Sequence, residues 1–296
     1  MDSICTPPDC EDIFAEEAGG PCWPRWLEGS RVPDAPRAAA YEATPAHLRA
    51  AVKTALALHH AHHGDTDVTA CRDERFPRRG FRRTSAEGPA AHALVAFPAS
   101  LRSPARLAAA LMPAILAGVP LTGAFCIGGE PSPEVLVTLE LAGVEDAFAL
   151  AAGDFVRLTD ELPRCRVVLL HGLDRAALPG RSRLPGRVWS EDALPLLLLP
   201  QADAVDAELL AFAHGPEIVA NALRGADARA VLDGGTAPGD RLPAALLDGE
   251  GAARLAVAPG DMPVELLLTP GCEAFWLHPG LGPDFFRCHH RAFSLL

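Results

Sequence analysis

The sequence predicts an α/β protein of two Rossmann-like units, with mostly parallel sheets covered by helices and an irregular to helical arm at the N-terminal side. Three observations predict it. Runs of strand length, such as His92 to Phe97 and Leu121 to Ile127, are apolar almost throughout rather than at alternate positions, as in strands buried on both faces. Between them lie helical stretches with their own start and stop signals. The two kinds of segment alternate along the chain, as successive βαβ units require.

Met1 to Arg37 carries Cys5, Cys10, Cys22, Trp23, Trp26 and several prolines with no sustained periodicity. It reads as an irregular arm whose tryptophans pack on the body. The spacing of its cysteines matches no Cys-x-x-Cys pair, so they read as ordinary thiols rather than a zinc site. After Thr44 and Pro45, the residues Leu48, Val52, Leu56 and His59 define an amphipathic helix ending at His63-Gly64. His59 and His63 share a face at a metal-binding spacing. The glutamate of a zinc-protease helix is missing between them, so helix-end histidines favoured by the C-terminal dipole are expected. Gly64 to Gly88 is charged and arginine-rich and is expected to be a solvated loop.

The organising stretch runs from His92 to Leu170. Pro98 ends the first strand. Ser103 and Pro104 start a helix through Leu107, Leu111 and Ile115, and Gly118 stops it. The strand Leu121 to Ile127 leads to Gly128-Gly129, then Ser132 and Pro133 repeat the helix start, with Gly143 as the stop. Strands at Asp146 to Leu150 and Arg166 to Leu170 flank a short helix, Asp154 to Leu162. Gly172 to Arg187 reads as a long loop.

A second unit follows, with a strand at Leu194 to Leu199 and a helix opened by Asp203 or Asp206 and closed by His214-Gly215-Pro216. Then come a helix through Ile218 and Leu223, a strand Ala228 to Leu232, a turn Asp233 to Asp240, a helix near Leu242 to Leu247, and strands Arg254 to Ala258 and Ala274 to Leu277. The expected divisions are 1–88, 89–194 and 195–296.

With 49 % hydrophobic residues, the chain builds cores easily. A formal net charge of −12 opposes phosphate binding and predicts no nucleic-acid partner. Lys53 is the only lysine, which removes most phosphate-loop and Schiff-base chemistry. No run is long enough for a membrane helix, and Met1 to Phe14 lacks a signal core. Eight irregularly spaced cysteines read as free thiols, and the expected location is the cytoplasm.

Three segments resemble histidinol dehydrogenases. Pro113 to Gly118 and Leu141 to Asp146 are similar to the helix ends of that family's first nucleotide-fold unit. Leu196 to Pro216 is similar to a strand and helix ending in Gln-Ala-Glu-His-Gly-Pro, and Ala258-Pro259 with Glu273 to Leu277 resembles the end of its catalytic segment. The resemblance covers roughly Pro89 to Leu281 at the level of pattern. It implies the fold shared by histidinol and aldehyde dehydrogenases, oxidation of histidinol with NAD, a substrate-holding zinc, a Glu-His acid/base pair and a homodimer.

Carried over by position, His214 stands at a zinc ligand; independently, Gly128-Gly129 lies after a strand and before a capped helix, where open α/β sheets bind ligands, and is the loop expected to line the NAD cleft. The departures are specific. Ala211 stands where the family's glutamine ligand belongs in direct register, or Phe212 if one residue is deleted, and Gly260-Asp261 stands where the Glu-His pair belongs. His171 to Asp174 replaces a Gly-Pro-Gly-Asn loop. Cys288, His289 and His290 are a poor substitute for a last zinc ligand. Cys126 reads as a buried small residue and His278 to Pro283 as a structural turn.

The expectation is therefore a diverged protein of histidinol dehydrogenase type, without the full catalytic apparatus, that binds a small-molecule ligand or a partner. The alternative is an active NAD-dependent, zinc-assisted dehydrogenase of amino alcohols. His214 near another histidine and a carboxylate points to the enzyme; His214 bonded to backbone points away from it.

Overall fold

The computed structural model describes residues 20–64, 69–162, 164–170, 172–173, 188–191, 194–201, 205–233, 242–246, 264 and 266–295. The turn at 234–240, the strand at 254–258 and Gly260-Asp261 lie outside them. Two parallel sheets carry the body, as the apolar runs predict.

The arm is more regular than its composition suggests. A short 3-10 turn, Arg25–Ser30, precedes helices α1 (Asp34–Ala43) and α2 (Ala46–His63). Trp23 packs edge-on against Phe125 and Phe148 of the first sheet, and its indole N–H donates to Asp146 at 2.7 Å.

The charged connector is not a loop. Strands β1 (Ala70–Phe76) and β2 (Phe81–Pro89) form an antiparallel hairpin turned by Gly80 at φ 71°. Glu74 faces Arg83 across the pair and bonds it, Asp73 accepts from Arg82 at 2.7 Å, and Phe76 stacks on Phe81. Cross-strand ion pairs give such a charged ribbon its register. Cys71 is disulfide-bonded, against the expectation of free thiols throughout. Cys22, Cys126, Cys272 and Cys288 carry free thiols.

The first sheet contains β3 (His92–Pro98), β4 (Leu121–Ile127), β5 (Ala147–Leu150), β6 (Arg166–Leu169) and β7 (Val188–Ser190), all parallel, in the order β5-β4-β3-β6-β7. Helices α3 (Pro104–Leu116), α4 (Pro133–Leu141) and α5 (Ala152–Glu161) connect its strands. The hydroxyls of Ser103 and Ser132 accept from the backbone N–H of Arg106 and Val135, so both predicted caps form. Gly118 and Gly143 adopt φ 74° and 69° beyond the helix ends. Leu94, Phe125, Phe148 and Phe155 pack one face of the sheet, and Val95, Leu107, Leu111 and Leu139 the other.

The second sheet has β8 (Pro195–Leu199), β9 (Leu223–Arg224), β10 (Leu242–Leu246) and β11 (Leu266–Leu268), parallel in the order β11-β10-β8-β9. Helices α6 (Ala207–His214), α7 (Pro216–Ala220) and α8 (Gly225–Leu232) accompany it. Four expectations are corrected here. The helix expected through Ile218 and Leu223 ends at Ala220, and Leu223 stands in β9. Ala228 to Leu232 is the end of α8, burying Ala228 and Val231, because a short apolar run fits either structure. Leu242 to Leu246 is a strand whose ladder to β11 begins at Ala244, leaving Pro243 outside that register. Cys272 to Leu277 is a series of turns, with the Phe275 N–H donating to the Cys272 carbonyl.

The last strand, β12 (Arg287–Leu295), returns to pair antiparallel with β2, making a three-stranded sheet. Leu48 and Ala55 of α2, Ala105 and Ala109 of α3, and Leu197 and Leu199 of β8 share one core.

Candidate functional site

In an open parallel sheet, ligands bind beyond the carboxyl ends of the strands where the order reverses. Here β3 lies between β4, its successor, and β6, so the reversal falls between β3 and β6. A cleft of about 330 Å³ opens at that point, lined by the loop after β3 (Ser100, Arg102, Ser103), by Arg106, by Gly172 after β6, and by His214. The turn of α6 into α7 closes its other side. Gly215, at φ 86°, is required there, because a Cβ would sit 3.1 Å from the Arg102 carbonyl oxygen.

Ser103 holds the two units together at the cleft. Its hydroxyl caps α3 and donates to the Ala213 carbonyl at 3.0 Å. Beside it Arg106 and Glu191 form a bidentate ion pair, with side chains only 5 % and 2 % exposed. His278 completes the network: its Nε2 meets the Arg106 carbonyl at 2.9 Å and its Nδ1 lies 3.7 Å from Glu191. Burial pulls the His278 pKa below the usual imidazole value, against the raising influence of Glu191.

His214 is 1 % exposed, and burial lowers its pKa to about 4. Its Nε2 lies 2.6 Å from the Glu273 carbonyl oxygen. A carbonyl only accepts, so Nε2 carries the proton and Nδ1 presents a lone pair. That Nδ1 is buried without a partner. The geometry therefore supplies a neutral imidazole acceptor at the cleft wall, too weak a base to abstract protons efficiently at neutral pH.

The residues do not fit a zinc site around His214. One ring nitrogen is engaged by backbone, Ala211 in the preceding turn has no donor, and no group of three or more metal-ligating side chains occurs among the described residues. They do not fit a glycine-cradled dinucleotide either. The turn after β3 reads Pro98-Ala-Ser-Leu-Arg-Ser103, without glycine, and the N-terminus of α3 is occupied by its own cap and Pro104.

Gly128 and Gly129 follow β4, one strand away from the reversal, and do not line the cleft. Gly128 adopts φ 83° and its N–H donates to Leu150, while a Cβ on Gly129 would meet Ala99 at 2.9 Å. The loop thus packs behind the β3 turn. His59 is fully buried, with both ring nitrogens unpartnered, and stacks on His63 at 6.0 Å. Cys126 is buried and its thiol is pushed up to about 12 by desolvation, which rules out a reactive thiolate. Cys288, His289 and His290 lie on β12, where His289 sits 3.5 Å from Glu87.

The sequence reading missed the Arg106–Glu191–His278 network. Its one signal is Arg106 within the otherwise apolar Ala105 to Leu116, where a charge is tolerated only with a buried partner.

The fold is an α/β fold with parallel sheets, similar to that of a solved histidinol dehydrogenase. Histidinol dehydrogenase from Elizabethkingia anophelis superposes with a TM-score of 0.50 at 12 % identity, over 90 % of this chain and 77 % of that one. Succinate-semialdehyde dehydrogenase from Burkholderia pseudomallei gives 0.40 at 12 % identity, over 84 % and 77 %. At this identity the likeness is one of fold. No family model matches the sequence, and no curated protein sequence matches it. Among the described residues no helix is long and apolar enough to cross a membrane.

Proposed function

We propose that the protein binds a small hydroxyl-bearing molecule in the cleft between β3 and β6, on a dehydrogenase-like scaffold that does not use zinc chemistry at His214. The observation that carries this reading is the His214 ring, which lines the cleft with Nε2 held by the Glu273 carbonyl and Nδ1 buried without a partner. A ligand hydroxyl would supply the missing donor. Arg102, half exposed at the mouth and 3.6 Å from Glu134, supplies a cationic edge.

Calorimetric titration with a panel of polyols, hydroxy acids and amino alcohols, histidinol included, tests it. Binding is expected for at least one hydroxylated compound and about tenfold weaker for its deoxy analogue, the cost of an unmade bond to a buried acceptor. No binding across the panel, or equal binding of the deoxy analogue, would refute it.

A second reading is an NAD-linked dehydrogenase, favoured by the strand order β5-β4-β3-β6-β7, which matches five strands of the 3-2-1-4-5-6 order of a Rossmann sheet. NAD added in the same titration distinguishes the two. Micromolar binding would favour the dehydrogenase, whereas no binding at millimolar NAD would remove it.

A further inference from the structure

A second cavity, of about 690 Å³, shares no lining residue with the cleft among the described residues. Arg106 lines the cleft and His278 lines this cavity, so the hydrogen bond between them stands in the wall separating the two. We propose that this cavity is a binding site for a small uncharged aromatic compound bearing a carbonyl or hydroxyl oxygen.

Its walls combine Leu266, Leu277, Leu281 and Phe285 with the indole of Trp276 and the imidazole of His63 at the end of α2. Trp276 is 2 % exposed, yet its indole N–H has no acceptor. Such a group only donates and is costly to leave unpaired, so the site requires an acceptor oxygen. The buried His63 Nε2 also lacks a partner. Burial lowers the pKa of His63, keeping the ring neutral and able to act as either donor or acceptor.

Flat rings on two walls favour an aromatic body through offset or edge contacts. Charge selects against acids. Among the described lining residues there is no lysine or arginine, and Asp284 stands exposed there, so a carboxylate or phosphate meets no ammonium or guanidinium from them.

The test is NMR titration of the full chain with benzamide and with benzoate. Benzamide is expected to saturate at one site per chain, with benzoate at least tenfold weaker. Trp276→Phe, which keeps a ring and removes the donor, should weaken benzamide about tenfold. Asp284→Asn, on the exposed rim, should strengthen benzoate and leave benzamide unchanged, and it reads the site even if the Trp276 variant does not fold. No saturable benzamide shift at millimolar concentration, equal binding of benzoate, or an unaltered affinity in folded Trp276→Phe would overturn the proposal. Arg102→Ala, at the cleft, should leave benzamide binding unchanged, and a loss there would place the probe in the wrong cavity and overturn it too.

Discussion

His59 and His214 are held neutral by burial, with pKa values lowered to about 3 and about 4. In the unfolded chain both titrate near 6.5, so between 6.5 and these values the unfolded state binds more protons than the folded one. Stability is therefore complete above about pH 6.5 and falls as the pH drops toward 4, by ~1.4 kcal/mol per pH unit for each histidine. Urea denaturation should lose about 4 kcal/mol between pH 7 and pH 5. A flat stability over that interval would contradict the burial assigned to the two rings. At this scale the sequence reading placed His214 at the site, but by resemblance. Its hydrogen-bond partner, Glu273, lies 59 residues away, and nothing local to His214 signals that a carbonyl occupies Nε2.

At the scale of the element, start and stop signals were legible because they act within one turn. Ser103 with Pro104 and Ser132 with Pro133 cap as predicted, Asp206, one of two expected candidates, caps α6, and Gly118, Gly143 and Gly215 all take positive φ. The β1–β2 hairpin was not legible, because its residues are half exposed and its stabilising pairs are charged rather than alternately apolar. Short apolar runs such as Ala228 to Leu232 fit helix and strand alike, and only packing against β8 and β9 decides. Ser103 does two jobs, capping α3 and bonding Ala213 of α6. Ser103→Ala should therefore lower stability by about 2 kcal/mol, more than an ordinary cap, measured by denaturant midpoint at unchanged slope. A loss below about 0.5 kcal/mol would show that the tie between the two units does not stabilise the fold.

At the scale of the molecule, the α/β class followed from apolar runs alternating with capped helices, but strand order did not. The reversal between β3 and β6 depends on which side of β3 the chain returns to, and no local pattern encodes that. The cleft consequently forms beside Ser103 and His214 rather than at Gly128-Gly129, whose close approach to Ala99 supports the neighbouring turn. Likewise β12 pairs with β2 from far along the chain, Arg287 facing Pro89 and Leu295 facing Phe81, and no local pattern encodes that pairing. The most direct test of the cleft's chemistry is a long-range proton–nitrogen NMR spectrum of the His214 ring at pH 7, recorded before and after one equivalent of zinc. The expected spectrum is that of a neutral ring protonated at Nε2, unchanged by zinc. A stoichiometric zinc-induced shift of Nδ1 would contradict it and restore His214 as a metal ligand.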